Sequence, residues 1–244
     1  MSLTAKLILS PVLVAQAIST RARLPRLPEP VGERAGVVGR GPVMQLLVTG
    51  DSSAAGVGVG SQRDALAQRL AATLADAAKA RVSWQLHARS GLTTAQTLAL
   101  LRDLAPHRAD VAVVVTGVND VVDQVPSHRA LAAREALANW LRNGHGVQHV
   151  VFAPLPPIHH FPGLPQPLRW VAGADARRHN AALAEWARSR GDVSCVDMDV
   201  PLNRGVMAAD GFHPGEPVYR YCATTIAQHI ATHVWPHLHL DTRP

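Results

Sequence analysis

Cysteine is scarce in this chain, with only Cys195 and Cys222 among 244 residues. Two thiols exclude a disulfide framework and any cysteine-rich zinc or iron–sulfur centre. Aromatic side chains make up 4% of the chain. A nucleic-acid-binding surface needs a basic face with aromatics to stack on bases, and the chain offers no such block. Charged residues are 17%, below the ~25% of ordinary soluble domains, which excludes a highly charged disordered chain. Long apolar runs are also missing. The run at residues 7–18 would span ~18 Å as a helix, short of a ~30 Å bilayer core. What the chain does have is 47% hydrophobic residues, enough for the core of one large domain or two small ones.

The net charge is +6, and it is uneven. Residues 1–40 carry Lys6, Arg21, Arg23, Arg26, Arg34 and Arg40 against Glu29 and Glu33, four of the six excess charges. The rest of the chain is nearly neutral. The apolar run at 7–18 is open to three readings. It is a secretory signal with Ala15-Gln16-Ala17 as its cleavage site, an interfacial anchor in which residues 7–26 touch a membrane, or a helix packed on the body. Arginines just after the run oppose export. The compartment stays open between cytoplasmic, membrane-associated and exported. The pairs Leu24-Pro25, Leu27-Pro28 and Glu29-Pro30 then read as an extended linker. Residues 1–41 are therefore expected to form an apolar helix plus a Pro/Arg-rich linker, and residues 42–244 the folded domain.

Within that domain, valine-rich runs at 43–49, 82–87, 111–116, 147–153 and 193–196 suit strands buried on both faces. Stretches rich in Ala, Leu and Arg at 62–79, 93–104, 127–142, 170–190 and about 216–233 read as helices. The alternation predicts a three-layer α/β/α sandwich around a five-stranded parallel sheet. Ligands of such sheets bind beyond the carboxyl ends of the strands, so candidate residues should fall there.

They do. Gly50-Asp51-Ser52 follows the first strand, Arg89-Ser90-Gly91 the second and Gly117-Val118-Asn119-Asp120 the third. Asp210-Gly211-Phe212-His213-Pro214 precedes the last helix. Together they supply what acyl transfer requires. A serine hydroxyl needs a base to take its proton, and His213 is the natural base for Ser52. Asp210, three residues earlier, can hold the imidazole tautomer. The Ser52 and Gly91 backbone N–H groups and the Asn119 amide are candidate donors to an oxyanion. Asp120 reads as a cap or a brace for the loop carrying Asn119. Gly56, Gly58 and Gly60 lack the third glycine of a dinucleotide fingerprint and the lysine of a phosphate loop, so nucleotide binding is not expected.

These four blocks, in this order, resemble the SGNH or GDSL-type hydrolase family. The resemblance covers residues 43–235, and position 53 is serine where the name motif has leucine. It implies a flavodoxin-like α/β/α hydrolase without metal or cofactor. It also implies Ser52 as nucleophile, His213 as base, Asp210 as third triad member, and Ser52, Gly91 and Asn119 as oxyanion hole. The segments 50–60, 161–169 and 207–214 are similar to a subgroup of bacterial esterases, some in gene clusters for long-chain N-acyl amino acids, which points to acyl-chain substrates. No G-x-S-x-G elbow surrounds Ser52.

The proline-rich segment 155–170 is either an ordered loop or an apolar lid over an acyl chain. In the second case Phe161, Leu164 and Leu168 would touch substrate. His159 and His160 are adjacent and diverge, and His229 and His233 lack further ligands, so zinc is not expected. The function read from the chain is a serine esterase or lipase acting on small-molecule aliphatic esters or thioesters. Two alternatives stay open: a carbohydrate O-deacetylase or acyltransferase on the same scaffold, and a binding protein without turnover.

Overall fold

The computed structural model describes residues 3–200 and 202–238, and the side chains from residue 9 onward. In chain order the elements are α1 (Leu3–Arg23), β1 (Ala35–Gly39), β2 (Val43–Gly50), α2 (Ser52–Ala55), α3 (Leu66–Ala78), β3 (Arg81–Ala88), α4 (Thr94–Leu104), β4 (Val111–Val115), α5 (Val118–Val122), α6 (Ser127–His145), β5 (His149–Phe152), α7 (Leu168–Arg188), β6 (Val193–Cys195) and α8 (Glu216–His229). The strands form one sheet in the order β1-β3-β2-β4-β5-β6. The pairs β3–β2, β2–β4, β4–β5 and β5–β6 are parallel, and β1 runs antiparallel to β3.

The five parallel strands are those expected, in a flavodoxin-like order. The sheet itself has six strands, which corrects the five-stranded expectation. Strand β1, with alternating exposed and half-buried residues, comes from the region assigned to the linker. The sheet therefore begins ahead of Pro42, the expected start of the domain. Glycines near its ends and a half-solvated face deprive β1 of the continuous apolar signature of the other strands.

Side chains alternate across β2. Met44, Leu46 and Val48 join a cluster with Leu70 and Leu74 of α3 and Ile226 of α8. Leu47 faces the other way, with Leu101 of α4, Leu137 and Leu141 of α6 and Leu183 of α7. Two helical layers thus close both faces of the sheet. Helix α4 starts on a full capping box between Thr93 and Gln96, which satisfies orphan N–H donors at its start. The strand order reverses at β2, whose neighbours are β3 and β4, so the crevice expected of such sheets lies at the carboxyl ends of β2 and β4.

Candidate active site

Ser52 is the first residue of α2, directly after β2 ends at Gly50. The turn is tight because Gly50 has φ +151° and a Cβ there would lie 1.9 Å from the Val115 carbonyl oxygen of β4. Only glycine permits that approach. Asp51 caps α2, accepting from the Ser53 N–H at 3.0 Å. The serine itself therefore need not cap the helix. Burial pushes the Asp51 carboxyl up to about 7, against the Ser53 N–H and the nearby His213, with Asp120 reinforcing the rise.

The loop carrying His213 is a narrow hairpin. Met207 bridges Pro214, the Ala208 N–H donates to the His213 carbonyl at 2.9 Å, and Gly211 turns the chain at φ +63°. Asp210 Oδ1 accepts from the N–H groups of Phe212 and His213, both at 2.9 Å. Its Oδ2 accepts from His213 Nδ1 at 2.6 Å. A carboxylate only accepts, so the imidazole proton sits on Nδ1 and Nε2 is left as acceptor. Ser52 Oγ donates to that Nε2 at 3.1 Å. Burial pushes Asp210 up, but the His213 side chain and the two backbone donors outweigh it and hold the carboxyl below its usual range. Three residues separated by up to 161 positions thus form one continuous relay.

Two of the three candidate oxyanion donors, Gly91 and Asn119, lie on segments joined to each other. Asn119 Nδ2 donates to the Leu92 carbonyl at 3.0 Å, tying the first turn of α5 to the residue after Gly91. Gly91 is exposed at φ +82°, with open space where a side chain would stand. The Ser52 N–H is among those at a helix start that lack an intrahelical acceptor. Asp120 acts as a brace, as its position predicted. It accepts from the Thr94 N–H at 3.2 Å and Thr94 Oγ1 at 2.5 Å, and pairs with Arg134 at 3.9 Å. Arg134 and Asp120 are both almost wholly buried. Burial holds the Arg134 guanidinium below its usual range although Asp120 opposes this.

Sequence reasoning missed Glu29 and Arg34. Glu29 Oε1 accepts from the Ser90 N–H at 2.8 Å and Ser90 Oγ at 2.9 Å, and its Oε2 from Arg34 at 2.9 Å. Arg34 also donates to the Ala88 carbonyl at 2.5 Å. The supposed linker therefore braces the loop that presents Gly91. Only the pairing of two opposite charges within five residues hinted at this.

A cavity opens beside Ser52 and His213. It runs between the ends of β4, β5 and β6 and the inner face of α8, and its walls include Leu66, Val115, Met198, Val218, Cys222 and Ile226. The lining is almost wholly apolar, and the cavity volume is about 80 Å³. The Cys222 thiol is pushed up to about 12 by burial, so it is a neutral part of the wall. Of the three residues expected to touch substrate, Phe161 lines the cavity. Leu164 and Leu168 do not. They pack behind it with Val121, Leu155 and Ile158. Phe161 stands edge-on to Phe212 at 5.3 Å, and Phe212 edge-on to His213 at 5.2 Å. Among the described residues, no three potential ligands gather as a metal site.

Residues 48–221 match the model of the GDSL-like lipase/acylhydrolase family. The chain belongs to this family. As a GDSL-type protein it is a hydrolase of the esterase and lipase kind, for which a catalytic triad and an oxyanion hole are typical. Solved structures share the fold. The lipase Lip_vut3 from a goat rumen metagenome is 21% identical, with TM-score 0.63, covering 78% of this chain and 98% of that one. TesA is 25% identical, with TM-score 0.55 and coverage of 79% and 96%. A family 3 carbohydrate esterase of Clostridium thermocellum is 17% identical, with TM-score 0.60 and coverage of 77% and 95%. No curated protein sequence matches this GDSL-type chain.

Proposed function

We infer that this GDSL-type hydrolase cleaves esters or thioesters of aliphatic acids of medium length through an acyl-enzyme on Ser52. Ser52 Oγ attacks the carbonyl carbon while His213 Nε2 takes its proton. The imidazolium formed is stabilised by Asp210. The tetrahedral oxyanion is held by the Ser52 and Gly91 N–H groups and the Asn119 amide. As the intermediate collapses, His213 protonates the departing alcohol or thiol. Water, activated by the same imidazole, then releases the acid and restores Ser52.

The observation that carries the reading is the Ser52–His213–Asp210 relay at the mouth of an apolar cavity. An apolar wall beside the nucleophile favours an aliphatic acyl group over an acetyl group carried by a sugar. An apolar cavity of ~150 Å³ takes a benzene ring, so about 80 Å³ takes the first few carbons of an acyl chain, and a longer chain reaches its open end. Hydrolysis of p-nitrophenyl acetate, butyrate, octanoate and palmitate by wild type and Ser52→Ala tests this. The expected result is an optimum at butyrate to octanoate that vanishes in the variant. Equal activity in both proteins would remove Ser52 from the mechanism. An acetate optimum would favour the deacetylase alternative, and an inert wild type the binding protein.

A further inference from the structure

Helix α1 contributes nothing to the relay, yet it is docked on the segment that carries Phe161. Both ends of one amide make the joint. Gln16 Nε2 donates to the Gln166 carbonyl at 2.6 Å, and Gln16 Oε1 accepts from the Leu168 N–H at 3.1 Å. This contact turns Leu13, Gln16 and Thr20, all half-buried, toward the body. The opposite stripe is Pro11, Val14, Ala15, Ile18 and Ala22, all exposed. Val14 is 58% and Ile18 66% exposed, and residues four apart lie on one helix face. An ordinary surface helix turns polar side chains to water, and this one turns an apolar stripe.

The charge along that segment has one sign. Residues 1–28 contain Lys6, Arg21, Arg23 and Arg26 and no Asp or Glu. The segment that Gln16 holds, at Gln166 and Leu168, is followed by Arg169, and the first acid of α7, Asp175, is paired with Arg178. Trp170, 47% exposed, lies two residues beyond the amide that Gln16 holds. Apolar side chains flanked by arginines, with an exposed tryptophan close by, match the chemistry of an anionic bilayer surface. Among the described residues, no helix is long and apolar enough to cross a membrane. The helix can therefore lie in the interface but not span it.

We propose that the outer face of α1 seats this protein on anionic lipid bilayers. The joint through Gln16 makes the seating functional. Phe161, on the cavity wall, is five residues from Gln166, at most about 17 Å of chain. Seating α1 therefore tethers that wall to a lipid-bound helix through a short stretch of chain.

The experiment is flotation of the full chain, as Ser52→Ala to prevent turnover, with vesicles of phosphatidylcholine alone or with one-quarter phosphatidylglycerol. The expected result is binding to the anionic vesicles, weakened by salt, with the double variant Val14→Asp/Ile18→Asp reducing affinity more than tenfold. Arg21→Gln/Arg23→Gln/Arg26→Gln should weaken it by about fivefold per charge removed and flatten the salt dependence. Hydrolysis of p-nitrophenyl butyrate by the aspartate variant in the Ser52 background should match wild type. That assay reports on the catalytic reading separately. No flotation of the parent chain, or equal flotation of the aspartate variant, overturns the proposal. Concentration-dependent dimerisation abolished by that variant, without flotation, assigns the face to a second copy and overturns it as well.

Discussion

Which atoms of Asp210 are already occupied decides how His213 is held. Oδ1 is taken by two backbone N–H groups, so only Oδ2 meets the imidazole. Asp210→Asn keeps an oxygen for the backbone donors but presents an amide N–H to Nδ1, which drives the imidazole into the wrong tautomer. Turnover of p-nitrophenyl butyrate should fall by about 10⁴-fold while thermal unfolding shows the fold intact. A loss below tenfold would mean that Asp210 does not set the tautomer. Asp51 carries the opposite pH signature from Asp210. Its carboxyl is pushed up to about 7 by burial, against ~3.9 in an unfolded chain. The folded state therefore holds this proton more tightly. The contribution to stability is complete below the unfolded value and is lost as pH rises through about 7, by up to about 4 kcal/mol. Asp210, held low, contributes stability at neutral pH that is lost as pH falls through its folded value. Asp51→Asn can still accept from the Ser53 N–H and cannot ionise. Urea unfolding at pH 5 and pH 8 should show the variant gaining more on wild type at pH 8 than at pH 5, since the loss runs from the unfolded value up to about 7. An equal difference at both pH values would exclude titration of Asp51 in that window. The residues of the relay were legible because each sits in a short block just after a strand or before a helix, where a parallel sheet gathers its ligands.

At the scale of elements, the antiparallel strand β1 and the turn before it do the work of a buttress. Glu29 and Arg34 fasten this segment to Ser90 and Ala88, the residues that lead into Gly91. Both side chains are about one-third exposed, so the ion pair itself adds little stability. Its effect should appear in catalysis. Glu29→Ala leaves the Ser90 N–H without its acceptor and frees the loop. The expected outcome is a fall of about tenfold or more in kcat with little change in KM, bounded by the ~100–1,000-fold cost of losing one oxyanion donor. Glu29→Gln keeps an acceptor for Ser90 and should retain most activity, which a merely destabilising position would not distinguish. Steady-state kinetics on the two variants, with melting temperatures measured alongside, decide the matter. This buttress was not legible in the chain. The parallel strands announced themselves as unbroken valine runs, whereas β1 is Ala-Gly-Val-Val-Gly with Val37 more than half exposed. Its link to Ser90 spans 61 positions with no periodic signal. The single-turn helices α2 and α5 are too short for a period of 3.6 to register. Their glycines and polar residues read correctly as site loops but not as helix.

At the scale of the whole molecule, the cavity sets function against stability. Helix α8 buries Val218 and Ile226 with Cys222 partly buried between them, a spacing of four that reads in sequence as an ordinary core stripe. The chain therefore disclosed that this face is buried but not that it stops short of filling the space beneath it. Depth depends on how far α8 stands from the ends of β4, β5 and β6, a distance no local pattern encodes. Unfilled apolar volume is costly, at ~24 cal/mol for each Å³. About 80 Å³ amounts to about 2 kcal/mol as an upper bound, since one end is open to the site. A protein selected for stability alone would close it. Cys222→Leu tests this directly, because the thiol is on the wall and its loss removes no charge. The added carbons should shorten the space available to an acyl chain while leaving the Ser52–His213–Asp210 relay untouched. Acetate hydrolysis should stay within twofold of wild type, octanoate hydrolysis should fall more than tenfold, and the melting temperature should rise by about 2–4 °C for each kcal/mol recovered. If octanoate is cleaved as before, the chain does not enter beneath α8. If both esters fail together and the protein melts earlier, the leucine has overpacked the wall, and Cys222→Val at smaller volume must then show the same shift in chain length with stability restored, or the cavity is not the acyl site.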